Sequence, residues 1–161
     1  MSATDRIVRT VDFVLSPEVR AASDGQLRLT GYAAVFGTVS EDLGFREVLE
    51  PGCFRSALTK PGVDCVLNWM HDDGQPLARQ SAGNLTLRED SKGLMIDATL
   101  PDTQLARDAV ELVRSGVVNK MSFAFSMRGG RDREEVRGGE VYRYIEQVGD
   151  LHDVSLVTHP A

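Results

Sequence analysis

The sequence lacks several features that would direct a protein to a membrane, a secretory route or nucleic acid. Of its 161 residues only two are cysteines, Cys53 and Cys65, which are too few for a disulfide framework and are expected to be small buried thiols. No apolar run approaches the roughly 20 residues that span a bilayer, and the start MSATDRIVRT lacks the order of a signal peptide. Basic residues form no sustained block and the formal net charge is -6, so nucleic acid is not expected as a partner. We expect a soluble, intracellular protein without a membrane segment.

Motifs for cofactors and metals are missing as well. Neither a P-loop nor G-x-G-x-x-G occurs, so a phosphate or dinucleotide site is not supported. His71, Asp72 and Asp73 could gather with His152 and Asp153, but no H-x-x-x-H or C-x-x-C spacing accompanies them, so a metal site is not expected. The G-x-S-x-G pattern of α/β-hydrolases is also absent. We therefore expect no metal and no cofactor.

The apolar content of 42% is enough for one continuous core, and we expect a single domain over residues 1–161. Apolar and polar residues alternate in 7–14 and again in 26–36, with Ser23-Asp24-Gly25 between them. Alternation indicates strands and the intervening residues favour a turn, so the two segments predict a hairpin. Residues 1–25 are accordingly interpreted as an N-terminal strand and turn.

The middle of the chain combines short strands with helical signals. We predict strands at 63–70, 84–88 and 94–100, the last two as a hairpin, together with a loop at 37–52 and a short helix at 54–59. The most secure helix runs from an N-cap at Asp102 to a stop at Gly116. Its apolar residues recur on one stripe: Leu105, Ala106, Ala109, Val110, Leu112 and Val113.

The C-terminal third returns to strands. Residues 141–148 and 151–158 predict two of them, whereas 129–140 is charged and glycine-rich and is expected to be a mobile loop or the tip of a long hairpin. One clear helix among many strands predicts an α+β fold. We expect a mainly antiparallel β-barrel or half-barrel with a few surrounding helices.

The segment VVNKMSFAFSM, 117–127, has two unlike faces if it forms a strand. Met121, Phe123 and Phe125 would share an apolar face, while Ser122 and Ala124 would lie on the reverse. A solvent-facing row normally has larger charged side chains. The small residues therefore suit a surface that another group approaches closely.

Only three histidines could transfer protons near neutral pH: His71, His152 and His159. His71 ends a predicted strand and precedes the polar stretch 72–76, so it lies where the chain leaves the core. A histidine in that place is often only a hydrogen-bonded structural residue. Ser122 has the same alternative, because a serine becomes a nucleophile only with a base within hydrogen-bond reach.

Six segments in order resemble the tailed-phage prohead protease family, the capsid-maturation serine peptidases that are distantly similar to herpesvirus assemblins. They are G-Y-A-A-V-F (31–36), E-V-L-E-P-G-C-F-R-S-A-L (47–58), V-L-N-W-M-H-D (66–72), K-G-L-M-I-D-A-T-L-P (92–101), N-K-M-S-F-A-F (119–125) and D-L-H-D-V-S-L-V-T-H-P-A (150–161). Each segment is weakly specific by itself. The ordered set extends over roughly residues 26–161, which is nearly the whole chain.

The resemblance implies a catalytic serine at Ser122 and a catalytic histidine at His71. For the third member it implies Asp153, from an acidic residue two positions before a serine, or His152, because the assemblins use a second histidine. In a regular strand Asp153 and His152 point to opposite faces, so only one can meet His71. Asp153 is preferred, because a carboxylate fixes the histidine tautomer and stabilises the imidazolium.

The sequence does not indicate which groups form an oxyanion hole. The candidates are Arg128, a few residues after Ser122, and Arg79, in the family-like segment P-L-A-R. The resemblance further implies an endopeptidase inside the procapsid, in the host cell cytoplasm. Its implied substrates are the major capsid protein with its scaffolding region and the protease itself, and a homodimer is one implied assembly. Two other classes stay open: an inactive structural or scaffold-associated relative, and an unrelated β-rich binding domain.

Overall fold

The structure of the protein is a computed structural model that describes residues 6–10, 18–21 and 26–159. Strands dominate, and neither α-helix in these residues is long and apolar enough to cross a membrane. The elements in chain order are β1 Ile7–Thr10, β2 Glu18–Ala21, β3 Leu27–Val35, β4 Arg46–Leu49, α1 Arg55–Thr59, β5 Val66–Trp69, β6 Asp72–Arg79, β7 Leu85–Glu89, β8 Gly93–Leu100, α2 Gln104–Arg114, β9 Lys120–Ser126, β10 Arg131–Arg137, β11 Glu140–Gln147 and β12 Asp150–Val157.

The strands form three sheets. The largest has the order β1-β9-β12-β5-β6, the second β2-β3-β8-β7 and the third β10-β11-β4. Pairing is antiparallel except for β12 with β5 and β11 with β4, which are parallel. The predicted α+β class is confirmed. Within the part of the chain that is described, the sheets do not close into a barrel.

The predicted hairpin between residues 7–14 and 26–36 is wrong. β3 pairs with β2 and β8, whereas β1 pairs with β9, more than a hundred residues further along the chain. The turn at Ser23-Asp24-Gly25 and the stretch 11–17 lie outside the described residues. Alternation reveals that a segment is extended, but not which edge it joins.

Three predicted loops contain strands. β4 lies inside the expected loop 37–52, and β6 begins directly after His71, where the polar stretch 72–76 was expected to be a loop. Of the two alternatives for 129–140, the structure shows the long hairpin: the segment contains β10, which pairs with β11 around Gly138 and Gly139. Both glycines have positive φ, of 57° and 83°, as a tight hairpin turn requires. A hydrophobic pattern does not reveal a strand such as β10, because its charged side chains are exposed to solvent on both faces.

The predicted helices are present with small shifts. α2 buries Ala106, Ala109, Val110 and Val113, as the apolar stripe requires. Its N-cap is Thr103 and not Asp102, because the Thr103 hydroxyl accepts the backbone N–H of Ala106. Gly116, with φ of 78°, follows its end. α1 begins one residue later than the predicted short helix.

β9 is fixed in the core by aromatic packing. Phe54, Phe123 and Phe125 are all fully buried. The Phe123 ring meets Phe54 edge to face, with centroids 5.4 Å apart, and stacks on Phe125 at 5.1 Å. Aromatic pairs in these arrangements add to the free energy gained from burial. The apolar face of β9 thus holds the strand rigidly while its reverse face carries Ser122.

We expect Phe123→Ala to lower the free energy of unfolding by about 3–5 kcal/mol, since the cavity removes burial and two ring contacts. Urea denaturation followed by circular dichroism measures the change. Val136→Ala is the control, because Val136 is 73% exposed on β10. It should change stability by no more than about 0.5 kcal/mol. Equal effects of the two substitutions would contradict the packing role of Phe123.

Candidate active site

Ser122 lies in the middle of the five-stranded sheet, on β9 between β1 and β12. In register it stands opposite Thr10 on one side and Ser155 on the other. Its own exposure is 0%. Ala124 and Ser126 on the same face are also buried. The row of small residues therefore faces other parts of the protein and not open solvent.

His71 is carried to the site by a tight turn between β5 and β6. Trp69 pairs with Asp72, so Met70 and His71 are the two central residues of the turn, and their φ values are 52° and 57°. Turns of this kind need positive φ at both positions and usually contain Asn or Gly. For other residues this conformation costs about 1–2 kcal/mol each. Strain of this size at a histidine is typical of functional sites.

The turn is held by contacts with β12. The backbone N–H of Met70 donates to the carbonyl of Leu156 at 3.0 Å. The backbone N–H of His71 donates to the Ser155 hydroxyl, also at 3.0 Å. These bonds fix the imidazole over β12, directly beside β9.

Three side chains meet as a continuous hydrogen-bonded array. The Nδ1 atom of His71 is 2.5 Å from Oδ1 of Asp153, and its Nε2 atom is 2.7 Å from Oγ of Ser122. The two nitrogens of one ring thus bridge a carboxylate on β12 and a hydroxyl on β9. With Nδ1 donating to the carboxylate, Nε2 is left as an acceptor toward the serine.

Asp153 is nearly inaccessible, with 3% exposure, although it is an acidic residue. Burial raises the pKa of its carboxyl, but the hydrogen bond and charge of His71 and the charge of Arg6 outweigh burial and hold the pKa below its usual range. Arg6 forms an ion pair with Oδ2 of Asp153, the oxygen that does not face His71. The carboxylate is therefore ionised at neutral pH and able to orient the imidazole.

Ser155 belongs to the array although the sequence analysis did not assign it a role. Its hydroxyl accepts the backbone N–H of His71 and donates to Oδ1 of Asp153 at 3.3 Å. The hydroxyl therefore positions both neighbours at once. The signal was present in D-V-S, because residues two apart on a strand share a face.

His152 occupies a bulge in β12. Leu151 pairs with Phe125 and Asp153 with Ala124, so His152 is the extra residue between consecutive pairs. Burial lowers its pKa, and its Nε2 atom has no hydrogen-bond partner among the described residues. Asp153, and not His152, makes the contact with His71.

A cleft of about 800 Å³ borders the Asp153 end of the array. Its walls include Arg6, Asn68, His152 and Asp153, but Ser122 does not line it. Arg79 also lines this cleft, where its guanidinium pairs with Asp64 at 3.2 Å. Arg128 is exposed just beyond the end of β9. The assignment of either arginine to an oxyanion hole stays a prediction.

The two cysteines are unsuited to act as nucleophiles. Both Cys53 and Cys65 are free and fully buried. Burial raises the pKa of Cys65 to about 12, and it raises that of Cys53 further. Thiols in such surroundings stay protonated and react poorly.

A serine hydroxyl beside an imidazole that a buried carboxylate orients is the arrangement of serine peptidases. The sequence profile of the caudovirus prohead serine protease family matches residues 16–161, and the chain belongs to this family. The predicted resemblance is thereby confirmed, and the protein is a serine peptidase of phage capsid maturation.

A comparison with solved structures bears on the fold. The structure is similar to that of the capsid assembly protease gp21 of bacteriophage T4, with a TM-score of 0.59. The sequences are 12% identical, and the match covers 97% of this chain and 98% of that chain. A comparison with curated proteins finds no match. The T4 similarity therefore supports the fold, while the family profile supports the class of activity.

Proposed function

We propose that Ser122 is the nucleophile, His71 the general base and Asp153 the residue that orients His71. The observation that supports this most strongly is the array in which His71 contacts Asp153 at 2.5 Å and Ser122 at 2.7 Å. Oγ of Ser122 attacks the carbonyl carbon of a peptide bond while Nε2 of His71 takes the hydroxyl proton. His71 then gives that proton to the leaving amine, and the C–N bond breaks.

Water completes the reaction. His71 takes a proton from a water molecule, which attacks the acyl-enzyme, and then returns it to Oγ of Ser122 as the ester bond breaks. Charge on the carbonyl oxygen needs donors in both steps. We propose Arg128 and Arg79 as candidates for one of these hydrogen-bond donors, together with backbone N–H groups.

The proposed nucleophile and the proposed base are both held rigidly by the fold. The proposed nucleophile is on a strand whose apolar face is packed in the core. The proposed base is on a turn whose backbone N–H groups donate two hydrogen bonds to β12, one to a carbonyl and one to the Ser155 hydroxyl. Catalytic groups need to be held within about 0.5 Å of the productive geometry. Elements of regular structure meet that requirement better than mobile loops do.

The proposed substrates are the scaffolding region of the major capsid protein and the protease itself, inside the procapsid. Family membership supports a capsid substrate, and the T4 relative is named as a capsid assembly protease. Co-expression with the major capsid protein of the same phage tests this. We expect a precursor that shortens at a defined peptide bond, identified by the mass of the products. A precursor that keeps its full length in assembled procapsids would instead favour an inactive structural relative.

A further inference from the structure

The face of the sheet that carries Ser122 continues across β12 to β5. In register, Ser122 stands opposite Ser155, and Ser155 stands opposite Asn68. Residues directly opposite on paired strands share a face of the sheet, so Asn68 lies on the same face as Ser122. Two strand spacings separate them, which is about 10 Å. The cleft of about 800 Å³ lies on this part of the face, because Asn68 and Asp153 both line it.

Asn68 has a buried hydrogen-bond acceptor that the described residues leave unused. The residue is 1% exposed. Its Nδ2 atom donates to Oδ1 of Asp73 at 3.1 Å, and because a carboxylate only accepts, this bond fixes the orientation of the amide. Its Oδ1 atom is buried and has no hydrogen-bond partner among the described residues. An unsatisfied buried acceptor costs about 1–3 kcal/mol, which a donor group in the cleft would recover.

The cleft also contains a carboxylate without a cationic partner. Of the three carboxylates that line it, Asp64 pairs with Arg79 and Asp153 pairs with Arg6. Asp73 is exposed, and in the described part of the chain its one side-chain partner is the Asn68 amide. An unused amide oxygen beside an unneutralised carboxylate suits a group that has both N–H donors and a positive charge. Arginine and lysine are the side chains with this chemistry.

The position of His71 indicates which part of a substrate reaches the cleft. Its imidazole contacts Ser122 on β9 and Asp153 on β12, so it lies between the nucleophile and the cleft. In the proposed reaction His71 gives its proton to the leaving amine, so the residues after the scissile bond lie on the His71 side of Ser122. Extended chain advances roughly 3.3 Å per residue, so about three residues cover the distance to Asn68.

We propose that this cleft is a substrate subsite for a basic side chain, arginine or lysine, within three residues after the scissile bond. The inference rests on the proposed function of Ser122 and adds a specificity that this function leaves open. Oδ1 of Asn68 accepts an N–H of the basic group, and the Asp73 carboxylate neutralises its charge. Asn68 and Asp73 are therefore specificity-determining residues, and the loss of either contact raises KM and not the barrier of the chemical step.

Binding of a small cation tests the subsite without knowledge of the natural substrate. The probe is butylguanidinium, titrated into the wild-type protein while NMR follows the side-chain amide of Asn68. We expect this signal to shift, with weak binding because the probe has few atoms. Butylurea is the matched neutral probe, since it has nearly the same shape, and it should bind about threefold more weakly. Equal binding of both probes, or no shift at Asn68, would overturn the proposal.

Asp73→Asn should weaken the binding of butylguanidinium about threefold, the size expected for one exposed ion pair. The new side chain keeps an oxygen that can accept from Asn68, so the fold is preserved. Asp72→Asn is the matched control, because it removes the same charge one residue away and Asp72 does not line the cleft. It should bind the probe as the wild-type protein does. An equal loss in both variants would mean that the probe responds only to net charge, and the subsite would be refuted.

Cleavage of a peptide library connects the subsite to the reaction. Products identified by mass spectrometry should have arginine or lysine within three residues after the cut bond. Leucine in place of that residue should raise KM about tenfold at unchanged kcat, the loss expected for a hydrogen bond to a charged group. Cuts without a basic preference would overturn the subsite and leave the proposed peptidase intact. If neither the library nor the capsid protein precursor is cut, the proposed function falls and this inference falls with it.

Discussion

Replacement of Ser122 by alanine is expected to lower kcat for peptide bond cleavage by roughly 10⁴- to 10⁶-fold. The hydroxyl oxygen is the atom proposed to form the covalent intermediate. Neither cysteine can substitute for it, since both thiols are buried and stay protonated. Cleavage of the capsid protein precursor, followed over time by gel and mass spectrometry, measures the effect. Fluorophosphonate labelling should vanish in parallel.

Ser126→Ala is the matched control for this substitution. Ser126 lies on the same strand and face as Ser122 and is equally buried, with 1% exposure, but its hydroxyl bonds to Asp150 at 3.4 Å. Each variant loses one buried hydroxyl, so both should lose about 1 kcal/mol of stability. Only Ser122→Ala should lose activity. Similar kcat values for the two variants would remove Ser122 from the mechanism.

Local patterns predicted the strand and the face of the candidate nucleophile but not its neighbours. The alternation in 117–127 identified Phe123 and Phe125 as core residues and Ser122 as a member of the reverse face. No pattern within that segment indicates that β1 joins one edge of β9 and β12 the other. Strand partners depend on contacts between distant parts of the chain, and a single sequence does not encode them as a local period.

The turn at His71 was beyond sequence reasoning for another reason. Met70 and His71 are neither Gly nor Asn, the residues that usually take positive φ in such a turn, so a continuous strand with a loop after it was the natural prediction. The surrounding contacts with Leu156 and Ser155 impose the turn. A site can therefore contradict local preference where the fold supplies compensating bonds, and such a conflict is itself an indication of function.

β1 shows the same limit for long-range ion pairs. The sequence indicated an extended segment near the N-terminus, and Arg6 and Arg9 gave no sign that their partners would be Asp153 and Glu47. One of these partners, Asp153, is the residue proposed to orient His71. Both the pairing of β1 with β9 and these ion pairs join parts of the chain that are far apart in sequence, so no local pattern indicates them.

Asp153→Asn is expected to lower kcat by roughly 10⁴-fold with little change in KM. The Asp153 carboxylate accepts from Nδ1 of His71, which leaves Nε2 free to take the proton of Ser122. An asparagine amide can instead donate to Nδ1, and the favoured tautomer then has its proton on Nε2, where no proton can be accepted. Substrate contacts are unaffected by this change, so the loss belongs in kcat and not in KM.

His152→Gln tests the competing assignment at the adjacent position. His152 lies in the bulge of β12, and its Nε2 atom has no hydrogen-bond partner in the described part of the chain. We therefore expect kcat of His152→Gln to stay within about twofold of the wild-type value. A change of that size corresponds to well under the 1.4 kcal/mol of activation free energy that a tenfold change represents. An inactive His152→Gln with an active Asp153→Asn would make His152 the third member, as in the assemblins. Thermal unfolding of both variants guards against a simple folding defect. His152 and Asp153 are neighbours on one strand, but only Asp153 contacts His71. An inactive Asp153→Asn beside an active His152→Gln would therefore show that the loss comes from the contact with His71 and not from damage to β12.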